Sequence, residues 1–265
     1  MTTILQLSDT HIVREGHLVS GRLDTAGSMA RIVARIEEMH DRIAPVDAVV
    51  VSGDVSDDGS PESYECFLSV MAPLDVPLYV IPGNHDRREP MRRAFGKGGY
   101  LPPSGRLNWR RRVGSVDLIG LDTLIEGQGG GEMDPQTLDF LSSALAEAVD
   151  RPVLLALHHP PFACGIEFMD AIGLRGADAL AEVLSRHDND IRVVCGHIHS
   201  TMAASVGGKV VLSAPSPCSS FAFDARPGAV AGFFDFEDGI LLHRWSDGFV
   251  SVRIGCQNGR GPYPF

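Results

Sequence analysis

Residues able to bind a metal or move a proton recur at the ends of short apolar runs. Asp9 and His11 follow the run Ile4 to Ser8, Asp54 follows Ala48 to Ser52, and Asn84 and His85 follow the run that begins at Leu78. His158 follows Val153 to Leu157, and His197 and His199 follow Ile191 to Cys195. The set mixes carboxylate oxygen, amide oxygen and imidazole nitrogen and contains no thiolate. Such donors suit borderline transition ions, Mn, Fe, Co or Zn, rather than a structural Cys-rich zinc. Seven ligands exceed what one tetrahedral ion accepts, whereas two ions sharing one carboxylate would use them all. Paired ions roughly 3.5–4 Å apart generate a hydroxide nucleophile and stabilise the attacking and leaving oxygens of an in-line displacement at phosphorus. Taken singly, each group has a plainer reading. Asn84-His85-Asp86 after Pro82-Gly83 can also be an Asx-type turn, and a lone strand-end histidine is more often a structural hydrogen-bonder.

The elements that must position these groups alternate along the chain. Continuous apolar runs such as Ala48 to Ser52 read as strands buried on both faces. Met29, Ile32, Val33, Ile36 and Met39 recur at helical spacing. Ser60-Pro61-Glu62 supplies an N-cap and first-turn proline for a helix through Tyr64, Phe67, Leu68 and Met71, and Asp134-Pro135 starts another. Arg106 to Arg112 and Val116 to Leu121 read as a hairpin. Val210 to Ser213, Gly232 to Phe236, Ile240 to Trp245 and Phe249 to Ile254 read as antiparallel strands. In α/β sheets ligands bind beyond the carboxyl ends of the strands, so groups distant in sequence can converge there. Alternate side chains of extended backbone share a face, so Asp9/His11 and His197/His199 can each serve one site.

The 265 residues are 44% hydrophobic and 22% charged, as in an ordinary soluble protein, and we expect one domain over 1–265. Lys and Arg total 23 against 34 Asp and Glu, a formal charge of −11, so a nucleic acid polymer is a poor partner. Five scattered cysteines without a C-x-x-C pair read as reduced thiols. The apolar run after Met1 is short and lacks a basic leader, and no run reaches the ~20 apolar residues needed to span a bilayer. A cytoplasmic protein with no membrane partner is expected.

Asp9-x-His11, Gly53-Asp54, Gly83-Asn84-His85-Asp86, His158 and Gly196-His197-x-His199 together resemble the complete, correctly ordered motif set of the calcineurin-like metallophosphoesterases. Ser-Asp-Thr-His, Val-Val-Ser-Gly-Asp, Ile-Pro-Gly-Asn-His-Asp, His-His-Pro-Pro and Cys-Gly-His-Ile-His are most similar to the bacterial class III cyclic nucleotide phosphodiesterases and related glycerophosphodiesterases. The resemblance implies an α/β fold, a four-layer αββα sandwich, with two metal ions at the sheet ends. It implies that Asp9, His11, Asp54 and His199 hold one ion, that Asp54, Asn84, His158 and His197 hold the other, and that Asp54 bridges. It places His85 beside the substrate phosphate, stabilising charge or protonating the leaving oxygen. Asp86 would orient His85 or stand behind the ligands. The expected substrate is a small phosphodiester, a 3′,5′-cyclic nucleotide first and a glycerophosphodiester second; a non-catalytic metal-binding protein is the reading from a different class. A homo-oligomer is expected because oligomers are common among such relatives.

Other residues keep two readings at this point. His159 is either near the substrate or packed behind it. Arg106, Arg110, Arg111 and Arg112 around Trp109 form either an anion-binding patch or, as we favour, a solvated face paired with acidic groups. The segments Ile12 to Asp24 and Phe162 to Gly176 should border the site, and Phe162, Phe168 and Met169 would cover a base or alcohol or pack a lid or subunit contact. The C-terminal strands, about residues 205–265 and rich in Phe221, Phe223, Phe233, Phe234 and Phe236, would complete the sandwich or form an oligomer interface.

Overall fold

The computed structural model describes residues 1–43, 45–235 and 239–256. Phe236 and the last nine positions of the expected C-terminal region lie outside the described residues.

Two sheets stack face to face. The first has five strands: β1 (Thr2–Leu7), β2 (Ala48–Ser52), β3 (Leu78–Ile81), β14 (Ile240–Trp245) and β15 (Phe249–Ile254), in the order β15-β14-β1-β2-β3. Its β1, β2 and β3 run parallel, with β14 antiparallel to β1. The second sheet has six strands: β4 (Trp109–Val113), β5 (Val116–Gly120), β7 (Val153–Ala156), β9 (Ile191–Cys195), β10 (Ala203–Val206) and β11 (Lys209–Ser213), ordered β10-β11-β9-β7-β5-β4. Here β5, β7, β9 and β11 are parallel and the edges β4 and β10 antiparallel. Two short pairs complete the strands: β6 (Gly131–Glu132) with β8 (Leu174–Arg175), and β12 (Ser220–Phe221) with β13 (Phe233–Phe234).

Period-two alternation sorts the second sheet's side chains into two cores. Leu118, Leu154, Ala156 and Val194 join the core shared with the first sheet and with the helices α1 (Thr25–Met39), α2 (Pro61–Met71) and α3 (Arg88–Phe95). Ile119, Val153, Leu155 and Val193 face the opposite way, against α4 (Pro135–Glu147) and α6 (Ala177–Ser185). The short helix α5 (Glu167–Asp170) lies outside these layers. Helices therefore cover both outer faces, which is the αββα arrangement the sequence motifs imply. The helix starts follow their caps: Ser60 accepts from Ser63 N–H and Asp134 from Thr137 N–H, each followed by proline in the first turn.

Polar ties run within the first sheet and across to the second. Gln6 Nε2 donates to Ser52 Oγ at 2.8 Å and to the Cys195 carbonyl at 2.9 Å, while Trp109 Nε1 donates to the Val80 carbonyl at 2.8 Å. The arginine run is engaged internally. Arg106 pairs with Asp134 at 2.7 Å, and Arg110 with Glu147 at 2.6 Å and Asp117 at 3.3 Å, as expected for a face paired with acidic groups. Among the described residues no helix is long and apolar enough to cross a membrane.

Candidate metal centre

The carboxyl ends of β1, β2, β3, β7 and β9 deliver their polar groups to one crevice. The turns that do so are conformationally demanding. Five of the seven non-glycine residues with positive φ among those described are candidate ligands: Asp9 at 53°, His11 at 43°, Asp54 at 48°, His197 at 72° and His199 at 49°. Left-handed backbone is costly for side-chain-bearing residues and persists where the surroundings over-determine it, typically at functional sites. Glycines sit where the turns crowd the ligands. A Cβ on Gly83 would lie 2.2 Å from Asp54 Oδ1, and one on Gly196 2.7 Å from Asp9 Oδ2.

The seven groups form two halves around one carboxylate. Donor atoms of Asp9, His11 and His199 lie within 4.8 Å of one another, as do those of Asp9, Asp54 and His158. His158 Nε2 is 3.1 Å from Asn84 Oδ1, and the His158 and His197 ring centres are 5.1 Å apart. Asp54 stands between the halves, its Oδ2 3.5 Å from His11 Nε2 and 3.5 Å from His158 Nε2.

Each imidazole is held through its far nitrogen, which leaves the other for the site. His11 Nδ1 meets Asp57 Oδ1 at 3.0 Å, His158 Nδ1 donates to the Ser52 carbonyl at 2.8 Å, and His199 Nδ1 meets Ser219 Oγ at 3.0 Å. His197 is turned round: its Nε2 donates to the Ile172 carbonyl at 3.2 Å, leaving Nδ1. The result fits a cation. His11 Nε2 and His199 Nε2 face each other at 3.1 Å, beside two buried carboxylates.

Protonation alone satisfies this cluster unevenly. Burial lowers every imidazole here, but the Asp57 hydrogen bond and the Asp54 charge carry His11 up to about 9, and the Asp54 charge does the same for His158. Burial and the neighbouring His11 hold His199 well below the usual histidine value, and burial with the His158 charge pushes His197 down to about 3. Burial raises Asp54, but the positive His158 outweighs it and holds the carboxyl well below the usual range. Burial raises Asp9.

The remaining candidates separate. His85 is half-exposed in a cavity of about 190 Å³ beside the ligands; its Nδ1 donates to the Asp57 carbonyl at 2.9 Å and its backbone N–H to Asp54 Oδ1 at 2.9 Å. The Asp86 carboxylate makes no hydrogen bond to the His85 side chain among the described residues. It is buried and accepts from Val55, Ser56 and Gly83 N–H at 2.9–3.1 Å and from the Tyr64 hydroxyl at 3.0 Å, so it ties the Asp54 turn to the Asn84 turn. Burial and the Asp54 charge push its carboxyl up to about 6. Removing it strands buried donors at a cost of about 1–3 kcal/mol each. With four donors stranded, Asp86→Ala is expected to destabilise the chain by about 4 kcal/mol or more in denaturant unfolding; a loss under 1 kcal/mol would contradict this role.

His159 is fully buried and does not line the cavity. Its Nδ1 accepts from the Thr123 hydroxyl at 2.8 Å, its Nε2 donates to the Gly129 carbonyl at 3.2 Å, and its ring packs 4.9 Å from His158 and 4.7 Å from His197. Of the two readings, the structure supports the packed one. The geometry also adds residues that the motif set omitted. Asp57 touches both His11 and His85, and Ser219 and the Ile172 carbonyl orient ligands. Asp57 carries a signal in sequence, an acid three residues beyond Asp54 in the same turn; a backbone carbonyl carries none.

Comparison with known proteins identifies the family. The family model for calcineurin-like phosphoesterases matches residues 2–201. A probable glycerophosphodiester phosphodiesterase, GpdQ, of Arcobacter nitrofigilis is 33% identical over 99% of this chain and 96% of its own. The 3′,5′-cyclic adenosine monophosphate phosphodiesterase CpdA of Pseudomonas aeruginosa is 36% identical over 83% of this chain and 77% of its own. A dimetal phosphatase from Danio rerio, 15% identical, shares the fold with a TM-score of 0.63 over 95% of this chain and 98% of its own. Since that family model covers residues 2–201, well over half of the chain, the chain belongs to the calcineurin-like phosphoesterase family.

Proposed function

We propose that the chain is a dinuclear-metal phosphodiesterase acting on small phosphodiesters, with 3′,5′-cyclic nucleotides as the lead substrate. The observation that carries this reading is the position of Asp54 Oδ2, equidistant from one histidine of each half. Asp9, His11, Asp54 and His199 would hold one ion, and Asp54, Asn84, His158 and His197 the other. Bound ions of the Mn, Fe, Co or Zn type supply Lewis acidity toward the phosphoryl oxygens and make water a nucleophile near neutral pH.

The chain's own groups do the rest. His85, fixed through Nδ1 by the Asp57 carbonyl, presents Nε2 to the cavity, where as an imidazolium it donates its proton to the leaving oxygen. The Asp57 carboxylate, 3.4 Å from His85 Nδ1 and 3.0 Å from His11 Nδ1, keeps both rings oriented. Among the described residues no lysine or arginine lines the cavity. With no lysine or arginine adding charge, this lining suits a monoanionic diester better than a dianionic monoester. Cyclic nucleotides lead because cyclic nucleotide phosphodiesterases are among the relatives; the near full-length match to a probable glycerophosphodiester phosphodiesterase supports glycerophosphodiesters as the second reading.

The test is hydrolysis of bis(4-nitrophenyl) phosphate by metal-depleted protein before and after adding Mn, Fe, Co or Zn. Turnover is expected to be lost on depletion and restored by at least one ion. No metal-dependent turnover with any of them would sink the reading.

A further inference from the structure

The cavity lined by His11, Asp54, Asn84, His197 and His199 is also lined by three aromatic rings, Phe168, Phe221 and Phe233. Phe168 comes from α5, and Phe221 and Phe233 come from the β12–β13 hairpin, where they are direct cross-strand partners. Phe221 anchors this wall to the centre, its ring 4.5 Å from that of His199 and its side chain packed against the cluster of Ile166, Met169 and Ile198. Two backbone contacts fix the hairpin: Ala222 N–H donates to the Gly232 carbonyl at 2.9 Å, and Gly228 N–H to Glu167 Oε2 at 2.6 Å on α5. Phe168 and Phe233 are 46% and 41% exposed, and among the described residues neither has an aromatic partner. Large rings exposed in a groove beside a reactive centre mark a ligand surface rather than core. Phe221 and Phe233 also lie beyond the residues 2–201 that the family model covers, so these two rings are not part of the shared motif set.

We propose that the β12–β13 hairpin, through Phe233 with Phe221, selects phosphodiesters by the planar, uncharged aromatic ring of one ester group. The inference rests on the phosphodiesterase reading, because the diester phosphate must lie at the metal centre for its substituent to reach the hairpin. Ring-on-ring contact is worth roughly 1–3 kcal/mol per base and tolerates any base, since every base has a π-face. Glycerol hydroxyls would meet the same rings without hydrogen-bond partners. A nucleobase or aryl ester is thereby favoured over a glycerol ester at equal phosphate chemistry.

The experiment compares kcat and KM for cyclic AMP and glycerophosphocholine in the metal-loaded protein and in Phe233→Ala, Phe233→Leu and Phe233→Tyr. Phe233→Ala and Phe233→Leu are expected to lower the cyclic AMP to glycerophosphocholine ratio of kcat/KM by about tenfold, mainly through KM, with wild-type metal content. Phe233→Tyr, which keeps a ring, should restore the ratio to within about twofold. An unchanged ratio in Phe233→Ala, equal performance of Phe233→Leu and wild type, or a parallel loss on glycerophosphocholine would overturn the proposal; the last would point to a choline cation on the rings. AMP binding by calorimetry keeps the two claims apart. If the wild type turns over no diester the phosphodiesterase reading fails, whereas Phe233→Ala binding AMP as tightly as wild type overturns ring selection even then.

Discussion

Asp54→Ala is expected to empty both halves of the centre and lower diester turnover by roughly 10⁴-fold or more, since Lewis-acid stabilisation supplies several kcal/mol and each 1.36 kcal/mol is tenfold. The reason is geometric. Asp54 Oδ2 is the single charged oxygen 3.5 Å from His11 Nε2 on one side and His158 Nε2 on the other. Its Oδ1 is used elsewhere, accepting the His85 N–H. Asp54→Asn keeps an acceptor for that N–H but offers a neutral oxygen in place of the bridging carboxylate. It should therefore fold as the wild type does and still lose metal. Metal analysis after desalting, beside a thermal melt, reads both effects. An Asp54→Asn protein retaining two ions per chain would refute the bridging role.

His85→Ala is expected to give the opposite pattern, with metal content retained and turnover lower by roughly 10²–10⁴-fold, the usual range for loss of general acid–base help. The backbone N–H that positions Asp54 survives the substitution, and no other candidate ligand depends on the His85 side chain except through ring contact with His11 at 4.7 Å. The deficit should depend on the leaving group. A 4-nitrophenolate departs without a proton, whereas the ribose alkoxide of a cyclic nucleotide needs one. Loss on cyclic AMP should thus exceed loss on bis(4-nitrophenyl) phosphate. Equal losses on the two would remove His85 as the acid and leave it a charge-stabilising contact.

The candidate ligand set was legible because its chemistry is written in side chains placed at strand ends. Asp9, His11, Asp54, Asn84, His158, His197 and His199 converge as the alternation of strand and turn implies. Strands β2, β9, β14 and β15 have the expected limits, since each is an uninterrupted run bounded by turn residues. β4 instead begins at Trp109 rather than Arg106, because Arg106 to Asn108 face an acidic turn: Leu107 N–H donates to Asp122 and Asn108 Oδ1 accepts from the Asp122 N–H. β10 escaped notice because Ala203–Val206 is a half-exposed edge without an apolar run. Asp86 drew attention by its place beside His85, yet tertiary structure turns it toward three backbone amides. Asp57 belongs to no motif in the sequence, yet it contacts two histidines. The aromatic wall was visible as composition only; the pairing of Phe221 with Phe233 follows from a hairpin joined by a long irregular loop, which residue pattern does not encode.

The claim on which the rest depends is that two ions flank Asp54. A crystal of the metal-loaded protein, measured by anomalous scattering at the absorption edge of the added ion, tests it directly. The account predicts two peaks roughly 3.5–4 Å apart with Asp54 between them. A single peak, or two peaks of which one lies away from Asn84, His158 and His197, would contradict it.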